Sequence, residues 1–273
     1  MPRVAYLGPE KTNTHFAAQK KFGAKSSYLH APTVEDVFRM VKGKKAEFGV
    51  VPIENSLEGS VTHTLDRFAD FAAIRVFGEV ELPIQHYLIT YPGIRPAKIE
   101  RIFSHPQALA QCRAWLGRNC RHARLSETLS TADAMGKLIE SPAAQTKMAA
   151  IGRKDLIGKR RLKATKIAIE GDNRTRFFVI SLKNPPKARS NKTSLLVVLK
   201  DKPGALHDTL MPFKENKINL TKIESRPSKK KAWEYLFFID LEGHESDPRV
   251  KKALAALRKS AASVRVLGSY PSC

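Results

Sequence analysis

A threonine hydroxyl stands between two guanidinium groups, directly before an apolar run. Arg174, Thr175 and Arg176 precede residues 177–182, whose branched and aromatic side chains predict a buried strand. Thr175 is therefore expected at the mouth of a strand, with its side chain opposite to those of the two arginines if the pleat has already begun. A rigid hydroxyl beside a fixed cation could bind an anionic substrate and assist a departing hydroxide. Taken alone, the stretch also fits an arginine-capped strand edge.

Other polar side chains follow predicted buried strands. Asn55 and Ser56 come after one such strand, Ser104 ends another, and Gln111 lies two turns into the helix that follows. Ligands of open α/β sheets bind outside the carboxyl ends of the strands, so this placement favours a shared site. Each residue taken singly also fits a turn or a helix cap.

Thr12 and Thr14 lie in a polar turn between a predicted strand over residues 3–7 and a predicted helix over residues 15–22. Either threonine could cap that helix. The backbone N–H groups at a helix start can bind an anion, although any α/β protein contains several such turns.

These candidates supply hydroxyl, amide and guanidinium groups. The sequence contains no phosphate-binding glycine loop, and its cysteines lack the paired spacing of a metal site. We therefore expect no cofactor and no metal. The donor set suits the binding and dehydration of a small anionic metabolite.

The order of predicted elements indicates an α/β protein with two domains. Strands and helices alternate over residues 1–183, which predicts a mainly parallel, doubly wound domain. Its long extended segment, residues 74–90, is interpreted as a crossover between two lobes. Residues 106–116 are expected to form one helix. Residues 184–192 contain two prolines and no periodicity, which is typical of a linker.

Residues 193–273 predict a second domain with the ferredoxin-like order βαββαβ. The predicted strands cover residues 193–199, 218–225, 233–241 and 264–267, and the predicted helices cover residues 204–215 and 248–261.

The 273-residue chain carries 48 basic and 26 acidic residues, a net charge of +22. The excess is spread over both predicted domains, and the cluster at residues 229–231 is expected on a solvated surface. A nucleic-acid-binding protein is the least favoured function, because such proteins concentrate basic residues on one face. Three cysteines favour a reducing cytoplasm. Neither a membrane span nor a signal peptide is expected.

Five stretches, in order along nearly the whole chain, resemble one known family. Residues 50–61, 104–112 and 175–177 are similar to three signature stretches of prephenate dehydratase. Residues 204–206 and 224–227 resemble the paired phenylalanine-binding motifs of its regulatory ACT domain. Because no chorismate mutase segment precedes Met1, the resemblance is to the monofunctional form.

The resemblance implies a two-lobed, periplasmic-binding-protein-like catalytic domain with a cleft. Its reaction is the decarboxylating dehydration of prephenate to phenylpyruvate, in which Thr175 donates to the leaving hydroxyl. Asn55, Ser104 and Gln111 match positions that shape the site. A role for Arg176 as a carboxylate clamp is our own inference, and a strand-edge role stays open. Further substrate-binding candidates are Thr12, Thr14, Ser56 and Phe177.

The resemblance also implies inhibition by L-phenylalanine, bound at interfaces between ACT domains of a homodimer or homotetramer. The residues expected to bind it are Gly204, Ala205, Leu206, Glu224, Ser225, Arg226 and Pro227. No nucleic acid or membrane is expected as a partner.

Two departures from the family pattern abut the predicted site. Lys11 replaces a glycine and Asn13 an aromatic residue, and the run at residues 170–174 is short. A lysine costs roughly 1 kcal/mol there if the backbone φ is positive. The alternatives are an arogenate dehydratase, which would act on the amino analogue, or a catalytically weak phenylalanine-sensing protein.

Overall fold

The computed structural model describes residues 1–141, 147–169, 171–229 and 234–273. The strands are β1 (Arg3–Leu7), β2 (Ser27–Ala31), β3 (Phe48–Asn55), β4 (Gly59–Ser60), β5 (Arg75–Pro83), β6 (Tyr87–Thr90), β7 (Arg101–Ser104), β8 (Arg124–Glu127), β9 (Met148–Gly152), β10 (Lys163–Lys166), β11 (Arg174–Ser181), β12 (Asn191–Val198), β13 (Leu220–Pro227), β14 (Tyr235–Glu242) and β15 (Ser263–Pro271). The helices are α1 (Asn13–Phe22), α2 (Val34–Lys42), α3 (Thr62–Asp70), α4 (Pro106–Gln111), α5 (Arg113–Asn119), α6 (Thr131–Glu140), α7 (Ala205–Glu215) and α8 (Pro248–Ser260). Among the described residues, no helix is both long and apolar enough to cross a membrane.

The chain divides into two compact units. The first contains residues 1–7, 17–81 and 176–273, and the second contains residues 8–16 and 82–175. Three features of the sequence analysis lie outside the described residues: the predicted strand start at Trp233, the part of the basic cluster beyond residue 229, and residue 170 of the short run at 170–174.

The first unit contains a sheet with strand order β2-β1-β3-β11-β5, and β4 pairs with β3. Strand β1 is parallel to both β2 and β3. Helix α2 packs its apolar face on this sheet through buried Val37, Phe38 and Val41. Thr33 caps this helix by accepting a hydrogen bond from the Asp36 backbone N–H, as the Thr-x-x-Asp spacing favours.

The second unit contains a sheet with strand order β10-β6-β9-β7-β8. Strand β7 is parallel to β8 and β9, whereas β6 is antiparallel to β9 and β10. This sheet is therefore mixed. The prediction of a mainly parallel sheet holds for its β8-β7-β9 part and not for β6 and β10. The extended segment 74–90 splits into β5 and β6, which belong to different sheets, so its interpretation as a crossover is confirmed.

The helix predicted over residues 106–116 is wrong in one respect. It divides into α4 and α5 at Cys112, whose buried side chain faces the core of this unit. Gln111 therefore ends a short helix instead of lying inside a long one. Ser104 is the last residue of β7.

The C-terminal domain has the predicted βαββαβ order. Its sheet runs β13-β14-β12-β15 with antiparallel neighbours. Helices α7 and α8 share a core with the sheet through Phe213, Leu254 and Leu257. Strand β13 is an edge strand of this sheet.

Candidate active site

Thr175 is the second residue of β11 and directly follows the short run at residues 170–174. Residues 177–180 of the same strand are at most 2% exposed, so the strand is held firmly close to Thr175. Thr175 itself is only partly buried. The Thr175 backbone is therefore held at the mouth of a strand.

Phe177 is 1% exposed, so almost none of its ring surface is open to a ligand. The pleat of β11 sets Arg176 and Phe178 on the same face, where the Arg176 guanidinium lies 4.9 Å from the centre of the Phe178 ring. We infer a packing role for Phe177 in place of the substrate contact expected from its position next to Thr175.

Arg176 forms a buried ion cluster within the first unit. Its Nε donates to Glu79 Oε2 at 2.6 Å and its Nη1 donates to Asp240 Oδ2 at 2.6 Å. Its Nη2 donates to the Tyr270 hydroxyl at 3.0 Å, and Glu54 lies 3.7 Å away. Because each guanidinium nitrogen already has a partner, the structure does not favour the carboxylate clamp. We infer a structural role, which joins β11 to the C-terminal domain.

Charge pairing in this cluster more than compensates for burial. Burial by itself raises the pKa of Glu79, but Arg176, the Cys273 backbone N–H and Lys192 together hold that pKa below its ordinary value. Burial by itself lowers the pKa of Arg176, but Asp240, Tyr270 and Glu79 raise it above its ordinary value. The cluster therefore holds charged groups at neutral pH.

Ser104 and Gln111 both lie in the second unit. Ser104 is fully buried, and its hydroxyl donates to the Ile151 carbonyl on β9 at 2.8 Å. Gln111 Oε1 lies 2.8 Å from His86 Nε2 and accepts from Asn173 Nδ2 at 2.9 Å. Burial lowers the pKa of His86, with the Gln111 hydrogen bond opposing it, so the imidazole is neutral at pH 7. Ser104 and Gln111 are thus held by hydrogen bonds near the C-terminal ends of β7 and β9.

The segment at residues 8–16 also belongs to the second unit. Thr12 caps α1, since its Oγ1 accepts from the His15 backbone N–H at 3.3 Å, and Thr14 is 5% exposed. Lys11 adopts a φ of 63°, and its backbone N–H donates to His15 Nδ1 at 2.9 Å. Lys11 therefore occupies the left-handed region that favours glycine, at a cost of about 1–2 kcal/mol. The segment keeps its turn despite the substitution.

Asn55 and Ser56 lie in the first unit, at the end of β3. Asn55 is 6% exposed, and its Oδ1 accepts from the backbone N–H groups of Leu57 and Glu58 at 3.0 and 3.2 Å. These bonds fold the turn between β3 and β4, and they leave Ser56 exposed. Asn55 is thus a turn residue whose carbonyl oxygen organises the loop.

A cavity of about 460 Å³ lies at the start of α7 in the C-terminal domain. Gly204, with a φ of 77°, caps this helix, and Ala205 and Leu206 line the cavity together with Tyr235 and Phe237. Leu206 is 39% exposed, so the cavity offers apolar surface. The second predicted motif, residues 224–227, is not among its lining residues.

Strand β13 carries that second motif and connects to the β3–β4 loop. Glu224 Oε2 accepts from the Ser60 hydroxyl at 2.7 Å, and Lys222 Nζ donates to Glu54 Oε1 at 2.9 Å and to Ser60 Oγ at 2.5 Å. Arg226 Nε donates to Asp66 Oδ1 on α3 at 3.2 Å.

Alternation along β13 puts these three side chains on one face and Ile223, Ser225 and Pro227, all exposed, on the other. The motif therefore divides between two faces. Glu224 and Arg226 contact Ser60 and Asp66, which belong to the same chain and to the first unit.

Comparison with known proteins shows the family of this chain. The family model described as prephenate dehydratase matches residues 4–185. A bifunctional chorismate mutase/prephenate dehydratase of Aquifex aeolicus (strain VF5) is 44% identical over 270 residues, which cover 98% of this chain and 73% of that protein. The chain belongs to the prephenate dehydratase family. An ACT domain model matches residues 193–259, and the predicted domain boundaries at 183 and 193 stay predictions.

Two solved structures share the fold of this prephenate dehydratase family member. Prephenate dehydratase of Arthrobacter aurescens in complex with L-Phe is 34% identical, with a TM-score of 0.88 over 98% of this chain and 89% of that one. GqqA, described as a novel type of quorum quenching acylase, is 25% identical, with a TM-score of 0.84 over 99% of this chain and 98% of that one. One fold thus carries more than one described activity.

The second unit of this dehydratase fold holds five of the predicted site residues: Thr12, Thr14, Ser104, Gln111 and Thr175. The first unit holds the other four, Asn55, Ser56, Arg176 and Phe177. Sequence reasoning missed His86 and Asn173, the partners of Gln111, and Lys222. Gln85 and His86 together interrupt the mostly apolar residues 82–90, which was the available signal for His86. The functional roles of all these residues stay predictions.

Proposed function

We propose that this protein is a prephenate dehydratase that converts prephenate to phenylpyruvate, with loss of carbon dioxide and the ring hydroxyl. The observation that carries the proposal is the pair of polar side chains in the second unit, Thr175 and Gln111, which are held at a strand end and a helix end. Family membership supplies the reaction class. The same residues would serve arogenate, whose side chain carries an amine.

Aromatisation of the ring drives this reaction, so the protein must mainly orient the substrate and assist hydroxide departure. Thr175 is assigned to the departing hydroxyl. A threonine hydroxyl is too weak an acid for easy complete proton donation, so a hydrogen bond that strengthens in the transition state is the better role. Gln111 then positions the substrate, and the buried Ser104, whose hydroxyl donates to the Ile151 carbonyl, stabilises the end of β7.

The experiment that tests the function measures product formation by the purified protein, with prephenate and arogenate offered separately. Rapid release of phenylpyruvate from prephenate is expected. Preference for arogenate would change the substrate and keep the mechanism. A folded protein that turns over neither substrate but binds phenylalanine would instead be an amino-acid sensor.

We also propose that L-phenylalanine inhibits the enzyme by binding at the ACT domain. The cavity beside Gly204, Ala205 and Leu206 supports this, because it joins an apolar wall to the N-terminus of α7, where backbone N–H groups favour a carboxylate. The exposed face of β13, with Ser225 and Pro227, is expected to take part through a second ACT domain in a homodimer or homotetramer.

Lys222 is positioned to transmit that binding. It lies on the phenylalanine-motif strand, and its ammonium group contacts Glu54 and Ser60, which flank the Asn55 turn. A change in β13 would therefore reach the β3–β4 loop through this buried cation, which acts beside the hydrogen bond between Glu224 and Ser60. Lys222→Met is expected to keep phenylalanine affinity within about twofold but to reduce the inhibition it causes by at least about fivefold, since coupling energies of this kind are worth about 5- to 150-fold.

Calorimetric titration with phenylalanine, combined with turnover at saturating phenylalanine, checks this prediction. Lys252→Met is the matched control, because Lys252 is an exposed lysine on α8 of the same domain. Full inhibition of the Lys222→Met enzyme would show that coupling takes another route.

A further inference from the structure

Two buried side chains converge on one atom of Gln111. His86 Nε2 lies 2.8 Å from Gln111 Oε1, and Asn173 Nδ2 lies 2.9 Å from the same oxygen. His86 and Asn173 are 5% and 4% exposed. All three residues belong to the second unit, so the contact is internal to one compact body.

The two edges of a carboxamide differ chemically, because the oxygen only accepts hydrogen bonds and the nitrogen only donates them. With the ring proton on His86 Nε2, two donors meet this oxygen and fix which way the Gln111 amide faces. The reversed pattern is self-consistent only if three groups change together: Gln111 and Asn173 must both flip, and His86 must move its proton to Nδ1. The location of one imidazole proton therefore reports the orientation of the whole cluster.

His86 is itself firmly anchored. It directly precedes β6, and its carbonyl oxygen accepts from the Ile167 backbone N–H at 3.0 Å and from Gln85 Nε2 at 3.0 Å. Gln85 Nε2 also donates to the Ile167 carbonyl at 2.9 Å. The imidazole therefore projects from a backbone that is pinned on both sides, which suits a group that orients another one.

We propose that His86 and Asn173 are positioning residues that hold the Gln111 amide with its oxygen turned to them and its N–H₂ edge turned to the substrate. The inference rests on the proposed function, since it needs Gln111 to face an anionic substrate. An N–H₂ edge stabilises negative charge on a carboxylate or a departing oxygen, whereas a reversed amide would present its own oxygen to that charge. His86 carries its proton on Nε2 in this arrangement.

A double-mutant cycle tests the proposal. His86→Leu is expected to lower kcat for prephenate roughly tenfold, because the amide loses one of the two bonds that orient it. In a Gln111→Ala background the same substitution is expected to change kcat by less than about twofold, since the group to be oriented is gone. His86→Gln is expected to recover most of the activity, because its amide can place a donor near the Nε2 position.

A purely structural role for His86 would give the same loss in both backgrounds, and that result would overturn the proposal. His122→Leu serves as the control, because His122 is an exposed histidine of the same unit. Thermal melting of each variant shows whether the fold survives. If His86→Leu fails to fold, Asn173→Leu enters the same cycle in its place.

Nitrogen-15 NMR of the imidazole rings tests the orientation without turnover. A protonated Nε2 and a bare Nδ1 on His86 are expected, and the opposite tautomer would overturn the proposal. A wild-type protein that converts no prephenate would defeat the proposed function, while the tautomer would still decide how the amide faces. An active enzyme with additive losses would defeat only the positioning role.

Discussion

Thr175→Ala is expected to lower kcat for prephenate by roughly a hundredfold or more, the usual scale for losing a donor aimed at developing charge. The hydroxyl contributes mainly in the transition state, so KM should change little. The strand should survive, because the buried residues 177–180 that follow it hold β11 in its sheet. Steady-state kinetics together with thermal melting separates these effects.

Thr175→Ser is the matched variant for this experiment. It keeps a hydroxyl at the same position and should retain activity within about tenfold, because serine has more rotamer freedom than the β-branched threonine. Alanine and serine variants of equal activity would show that the hydroxyl is not the donor. Near-normal turnover by the alanine variant would remove Thr175 from the mechanism altogether.

Local patterns in the sequence predict most of the elements, and the exceptions have physical reasons. Strands β2, β4, β8 and β10 escape prediction because each is short and has few buried residues. Strand β2 lies at one end of the first sheet, and β8 and β10 lie at the two ends of the second, where apolar periodicity is weak. The split of the predicted helix at Cys112 likewise leaves no glycine or proline signal between α4 and α5.

The sequence predicts which types of residue form the site, but it does not predict which groups these residues bind in the folded chain. Arg176 stands beside Thr175 in sequence, which suggested a substrate clamp. Its partners Glu79, Tyr270 and Asp240 lie 97, 94 and 64 residues away, so no local pattern could reveal them. Sequence spacing locates a charged side chain, but only the tertiary fold decides whether another protein group neutralises it.

Lys11 is the opposite case, in which a sequence comparison anticipated backbone geometry. The family pattern has a glycine at this position, which left a positive φ open, and Lys11 adopts a φ of 63°. The backbone N–H of Lys11 donates a hydrogen bond to the His15 ring, which helps to hold the turn without glycine. Burial lowers the pKa of His15, with Glu10 opposing and Lys11 assisting that shift, so the ring is neutral and able to accept at pH 7.

Arg176→Leu is expected to lower the free energy of unfolding by about 3–5 kcal/mol, because removing one partner of a buried ion cluster leaves uncompensated charge. The side chains of Glu79 and Asp240 are 0% and 5% exposed, so water cannot replace the lost guanidinium. Urea unfolding and thermal melting measure the loss. Arg174→Leu is the matched control: its pair with Asp172 is half exposed, and the expected change is below about 0.5 kcal/mol.

The pH dependence of this deficit identifies the responsible carboxylate. Glu79 has a lowered pKa in the folded protein, so its stabilising contribution is complete above its unfolded pKa of about 4.3 and is lost as pH falls through the folded pKa. Without Arg176, burial should raise that pKa instead, and the variant should take up a proton at higher pH than the wild type does. The difference in unfolding free energy between the two proteins should therefore be largest near pH 7 and shrink towards pH 4. A difference that stays constant over this range would mean that Glu79 keeps its charge without Arg176, held by Lys192, which lies 3.0 Å from its other oxygen.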